Sequence, residues 1–128
     1  DFWMPFTPSI TFEGAKKIVK NPKNIYSPFM TMAFDLKDGF AEKLPGVIHP
    51  ADKTVRPQML KEENNPNYYN LLIEFEKISG LPVLLNTSFN LHGDAIVENP
   101  SQAVDTFKRS DLDILILNNT AVIRRTEK

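Results

Sequence analysis

The chain has 128 residues, 41% hydrophobic and 24% charged. A chain of this length can bury about 65–70% of the surface its unfolded form exposes, which excludes disorder or low complexity as an overall description. With 15 Lys+Arg against 16 Asp+Glu, a net charge of -1 and no cysteine, a whole-surface attraction to nucleic acid or anionic membrane is disfavoured, and disulfides, thiolate zinc sites and cysteine nucleophiles are excluded.

Phe2 to Phe12 is aromatic, and Pro5 and Pro8 forbid a helix interior there, so an extended segment is expected. A short helix follows, capped by Thr11, with Ala15, Ile18 and Val19 on one face and Asn21-Pro22 ending it. Pro28 to Leu36 reads as a strand, Gly39 to Leu44 as a short helical turn and Val47-Ile48-His49 as a strand end. Thr54 to Leu60 reads as extended, with Pro57 demanding an edge or a break.

The clearest helix is Pro66 to Ser79, with Asn65 as cap, Gly80 as left-handed stop, and Tyr68, Leu71, Leu72, Phe75 and Ile78 as its buried stripe. Pro82 to Leu85 is an apolar strand running into a polar loop, Asn86 to Asp94. Asn99-Pro100 opens another helix with Ala103, Val104 and Phe107 inward. Leu112 to Leu117 and Ala121 to Ile123 are the last strands, followed by Arg124 and Arg125. Helices alternating with strands predict an α/β or α+β domain, helices packed on an open sheet, and no linker or repeat divides it.

The segment Leu84 to Asp94 carries the most chemistry. A strand feeds directly into Asn86, Thr87, Ser88 and Asn90, and ligands of open sheets bind at the carboxyl ends of strands. Hydroxyls and amides there suit phosphate, ribose or a planar carbonyl group; the alternative is a Ser- and Asx-rich turn. The sequons Asn86-Thr87-Ser88 and Asn118-Asn119-Thr120 are chance matches on this reading. A Ser88–His92 nucleophile pair lacks an elbow pattern, and His49 and His92 with Asp52 or Asp94 match no metal-ligand spacing, so no metal site is expected. The second candidate is His49 to Gln58. Arg56 between Val55 and Pro57 is either a planar fork for phosphate or carboxylate, or a salt bridge at a sheet edge. Lys16, Lys17, Lys20 and Lys23 read as a solvated helix face that could assist a phosphate site.

Taken together, these segments resemble a known family. Phe2-Trp3-Met4-Pro5-Phe6-Thr7-Pro8 is similar to the "FWxPFAP" opening of the carboxy-terminal domain of carbamoyltransferases, the nodulation-type and antibiotic-tailoring O-carbamoyltransferases. His49-Pro50-Ala51-Asp52 with Thr54-Val55-Arg56-Pro57-Gln58 resembles its "HPxDxTxRPQ" stretch. Leu85-Asn86-Thr87-Ser88-Phe89-Asn90 resembles its "LNTSFN" signature, and Ile96-Val97-Glu98-Asn99-Pro100 the piece that follows.

The resemblance implies a YrdC-like fold, a twisted open sheet with packed helices, spanning 1–128 as one domain. It implies a domain that makes carbamoyl-adenylate from carbamoyl phosphate and ATP, with Mg²⁺ held mainly through phosphates. A Kae1-like amino-terminal domain of the same chain would then pass the carbamoyl group to a hydroxyl acceptor. Ser88 and Asn90 fall on the S-x-N nucleotide motif and Arg56 on the arginine expected near phosphate or carbamoyl, as catalytic residues. His49, Thr54 and Asn86 lie in the same motifs as binding residues. The family's Lys-x-Arg phosphate motif would precede Asp1, and the missing initiator methionine would mark a cut at a domain edge. The 128 residues alone are therefore expected to be inactive or weakly active. Two other readings remain: a non-catalytic nucleotide- or RNA-docking module, nucleic acid being disfavoured by the net charge, and a structural domain that uses Phe2, Trp3 and Phe6 as an interdomain contact. The chain is expected to be cytoplasmic and without a membrane partner.

Overall fold

The computed structural model describes residues 6–125. They divide between Thr87 and Ser88 into two compact units, and the secondary structure is mixed α/β, as expected. Phe2, Trp3, Met4 and Pro5, on which the opening motif and the proposed interdomain contact rest, lie outside the described residues.

In the first unit, β1 (Thr7–Thr11) is the central strand of a three-stranded sheet. It runs parallel to β4 (Gln58–Leu60) and antiparallel to β5 (Val83–Asn86). Pro8 is tolerated there because pairing with β4 begins only at Ser9, so its missing N–H takes nothing from that ladder. Between β1 and β4 lie α1 (Phe12–Ile18), β2 (Phe34–Asp35) and β3 (Thr54–Val55). The last two form a separate antiparallel pair.

Thr11 caps α1 as its sequence predicts, its hydroxyl accepting from the Gly14 N–H at 2.9 Å. Ile10, Ile18, Val19, Phe34, Val55, Met59 and Val83 join in one buried cluster. Gly14 sits where α1 crosses the chain ahead of β5: a Cβ built there would lie 2.8 Å from Pro82 Cβ and 2.8 Å from Thr11 Oγ1. Alanine would gain about 1 kcal/mol of helix propensity. Overpacking costs about 1–3 kcal/mol, and disturbing the cap adds to it. Gly14→Ala should therefore lower unfolding stability in urea by about 1–3 kcal/mol; a more stable variant would contradict the close approach.

Several expected elements differ. The strand expected over Pro28 to Leu36 shrinks to Phe34–Asp35 plus a single bridge between Val19 and Leu36. Met30 takes φ 58° and breaks the extended path, and Phe29 at 76% exposure has no core to face. The expected strand end at Val47 is instead part of a 3₁₀ turn, Pro45–Val47, because Pro45 starts the turn and Val47 N–H closes on Leu44 C=O at 3.2 Å. Turns also occupy 41–43 within the expected helical stretch. Thr54 to Leu60 breaks at Arg56-Pro57, as expected from the proline.

The long helix α2 (Pro66–Ser79) has the predicted limits: Asn65 Oδ1 accepts from Tyr68 N–H at 3.1 Å, and Gly80 is left-handed at φ 73°. Its buried face is rotated from the predicted stripe. Leu72 is 0% exposed, whereas Leu71 is 50% and Ile78 87% exposed. Tyr69 and Glu76 meet α1 through exposed polar bonds, Tyr69 donating to Glu13 Oε2 at 3.2 Å and Lys17 to Glu76 at 2.5 Å. The apolar strand β5 buries only Val83 fully, and Leu85 is exposed.

In the second unit, α3 (Pro100–Arg109) follows Asn99, whose Oδ1 accepts from Gln102 N–H at 2.9 Å. β6 (Ile114–Leu117) and β7 (Thr120–Ile123) form a hairpin through Asn118-Asn119, with Asn118 at φ 53°. Leu112 stays outside the strand. Ala103, Phe107 and Leu115 make the core, with Phe89, Val97, Val104 and Leu117 against it. Arg124 donates to the carbonyls of Phe107 at 2.5 Å and Ser110 at 2.7 Å. It thereby closes the C-terminal end of α3 with a cation where the helix dipole favours one.

Candidate functional site

The His49 to Gln58 segment is a turn leading into β3. His49 N–H donates to Thr54 C=O at 2.9 Å and Lys53 N–H to His49 C=O at 2.9 Å, with Lys53 at φ 59°. Asp52 locks this turn by accepting from the Thr54 N–H at 3.0 Å and the Thr54 hydroxyl at 2.8 Å. Those two bonds first, then His49 and Arg56, hold the Asp52 carboxyl below its ordinary pKa of 3.8. The Nδ1 atom of His49 lies 3.3 Å from Asp52 Oδ1 but is buried without an aligned hydrogen bond. Thr54 and His49 are thus brought together around Asp52, which the same motif contains.

Arg56 follows β3 immediately. Val55 and Pro57 are buried on either side of it, and the Arg56 side chain is exposed. It makes no hydrogen bond or ion pair with any described residue, so the sheet-edge salt bridge is not formed among them. Its planar donor fork is committed to no described residue, and such a fork suits an anion. The lysine run reads as a solvated face: Lys17 pairs with Glu76, Lys20 stands 3.8 Å from Asp38, and Lys16 lies 5.1 Å above the Phe12 ring.

Asn86, the last residue of β5, donates through Nδ2 to Gln58 Oε1 at 3.0 Å. The same oxygen accepts from the Ser9 hydroxyl at 2.8 Å. Gln58 and Ser9 did not emerge as candidates from the sequence. Gln58 was visible within the "RPQ" motif, but its partners depend on the β1–β4 register, which no local pattern encodes.

Ser88 and Asn90 belong to the second unit. The Ser88 hydroxyl donates to Asn90 Oδ1 at 2.5 Å. Asn90 Nδ2 donates to the carbonyls of Leu91 and Asp94, both at 3.1 Å. Asn90 therefore ties its own loop, and Arg109 reinforces that loop through Asp94 at 2.9 Å. This is the Ser- and Asx-rich turn geometry. Ser88 is exposed and keeps its oxygen lone pairs for a donor. Among the described residues no group of three or more His, Asp or Glu side chains is gathered to hold a metal ion, and no helix is long and apolar enough to cross a membrane.

Comparison with known proteins places these loops in a wider pattern. The uncharacterised protein MJ1051 of Methanocaldococcus jannaschii is 43% identical over 118 residues, covering 92% of this chain and 22% of that protein. Nodulation protein NolO of Bradyrhizobium diazoefficiens is 34% identical over 124 residues, 96% of this chain and 22% of its own length. Nodulation protein NolNO of Sinorhizobium fredii is 34% identical over 125 residues, 97% and 18% respectively. The chain thus spans about a fifth of the length of these curated relatives. The family model described as carbamoyltransferase C-terminus matches residues 1–124, the His49 turn, Arg56 and the Ser88 loop all included. With that match running almost end to end, the chain belongs to the carbamoyltransferase C-terminus family.

Proposed function

We propose that this chain serves carbamoyl transfer by forming carbamoyl-adenylate from carbamoyl phosphate and ATP. The observation that carries the reading is the family match over residues 1–124. The exposed Arg56, without a described partner, supports it as an anion fork. One water balances the reaction: it releases phosphate from carbamoyl phosphate, the resulting carbamate oxygen attacks the α-phosphorus of ATP, and pyrophosphate leaves. Charge builds on the α-phosphate oxygens in that step, so catalysis is chiefly positioning and electrostatic stabilisation.

Arg56 forks across phosphate or carbamoyl oxygens, and the His49–Thr54 turn holds the backbone beside it. In the second unit Ser88 accepts from a ribose hydroxyl through its open lone pairs, and Asn90 orients the Ser88 hydroxyl. Mg²⁺ would be held mainly through the phosphates and neutralise part of their charge. A Kae1-like amino-terminal domain of the same protein would then pass the carbamoyl group to a hydroxyl acceptor.

The test is carbamoyl-phosphate-dependent exchange of labelled pyrophosphate into ATP by the intact, natural-length protein. Label should enter ATP only when carbamoyl phosphate is present. Exchange that ignores carbamoyl phosphate, or none at all, would overturn the reading.

A further inference from the structure

Thr7 and Ser9 stand two residues apart on β1 and therefore share one face of the sheet. Ser9 is the register partner of Gln58 on one side, and Thr7 that of Asn86 on the other. The sheet so brings Ser9, Gln58 and Asn86 side by side from three strands. Ser9 is 0% exposed, and its hydroxyl is satisfied by Gln58 Oε1 at 2.8 Å. That bond alone would explain a glutamine with a purely structural task. It does not explain why the same oxygen also takes Asn86 Nδ2 at 3.0 Å.

The donor and acceptor count shows what is left over. Gln58 Oε1 is used twice, while Gln58 Nε2 donates to no described residue. Asn86 uses Nδ2 toward Gln58 and, at 3.7 Å, toward the Met30 sulfur; its Oδ1 accepts from no described residue. Met30, which also accepts from Thr7 Oγ1 at 3.1 Å, is held at φ 58°, a backbone strain found where surrounding structure imposes it. Both amides are half-buried rather than sealed. A donor and an acceptor therefore remain on two amide groups that a single hydrogen bond has fixed in mutual orientation.

We propose that Gln58 orients Asn86, and that Gln58 Nε2 and Asn86 Oδ1 together bind the edge of a planar ligand carrying an acceptor beside an amino group. This rests on the proposed function for its choice of ligand. The carbamoyl group has such an edge, and adenine presents the same pairing of a ring nitrogen and an amino group. Gln58→Glu separates the roles, because a carboxylate still accepts from Ser9 and Asn86 but donates nothing.

The experiment is calorimetric titration of the intact wild-type protein and of Gln58→Glu with carbamoyl phosphate and, separately, with AMP. A loss of at least about tenfold in affinity is expected. Loss for carbamoyl phosphate alone assigns the edge to the carbamoyl group, and loss for AMP alone to adenine. Should Gln58→Glu not fold, the side-chain amide signals of Gln58 in the ¹⁵N-labelled wild type are the readout, since they must move when Nε2 gains an acceptor. Unchanged affinity for both ligands in a folded variant, or Gln58 amide signals that neither ligand moves, overturns the proposal. A wild type that binds neither ligand fails the proposed function as well, which tells that outcome apart from failure of the Gln58–Asn86 edge alone.

Discussion

Arg56→Ala should lower carbamoyl-phosphate-dependent ATP–pyrophosphate exchange by about 10²–10³-fold, the usual effect of removing one aligned donor from a developing oxyanion. Stability should change by no more than about 0.5 kcal/mol, as for other surface substitutions away from packed or paired groups. The contrast follows from placement. The backbone around Arg56 is anchored by the buried Val55 and Pro57, while the side chain is exposed and bonded to no described residue. Nothing that holds the fold together is lost, but the planar fork is. Arg56→Lys keeps the charge without the bidentate geometry, so it should recover only part of the exchange. Urea unfolding alongside the exchange assay checks both halves. Undiminished exchange in Arg56→Ala would remove Arg56 from the site, and a large stability loss would show that it has a structural partner.

Which elements could be foreseen depends on how local their causes are. The limits of α2 and the start of α3 were legible because Asn65, Gly80 and Asn99 act within a turn of the helix ends they set. The same holds for Thr11 at α1. Pro28 to Leu36 misled because alternating apolar residues suggest a strand wherever they occur, yet a strand needs a neighbour. Phe34 and Asp35 found one in β3, and Leu36 only a single bridge to Val19. The place of β1 at the centre of its sheet was not legible either, since a parallel partner from Gln58 onward is a long-range event.

The candidate site divides along similar lines. His49, Thr54 and Arg56 fall on one short turn, so sequence proximity already implied spatial proximity, and the Asp52 bonds to Thr54 show how the turn is made. Ser88 and Asn90 were legible as a polar loop, but their mutual bond and the inward use of the Asn90 amide were not. An amide can serve a ligand or its own backbone, and only geometry decides which groups are committed. Asn86 illustrates the same point in reverse: its donor is committed to Gln58, a residue that only sheet register brings near.

The rotated face of α2 leads to the largest expected stability effect. Helical periodicity places Tyr68, Leu71, Leu72, Phe75 and Ile78 on one stripe, yet that stripe is wider than the surface the helix covers. Leu72 is 0% exposed and Ile78 87%, while Tyr69 and Glu76 are bonded to Glu13 and Lys17 of α1. Leu72→Ala should then cost about 2–5 kcal/mol, the transfer free energy of the lost methyl groups plus the cavity they leave. Ile78→Ser, which creates no cavity, should stay within about 0.5 kcal/mol. Urea unfolding of the two variants checks the pair. Equal costs would mean that α2 packs through the predicted stripe after all. Breaking the polar pair with Glu76→Ala should act differently from either. A bond between a side chain 60% exposed on Lys17 and one 23% exposed on Glu76 is a partly screened contact worth about 1 kcal/mol or less. Leu72, the buried residue of the helix, therefore carries the largest of these three expected costs.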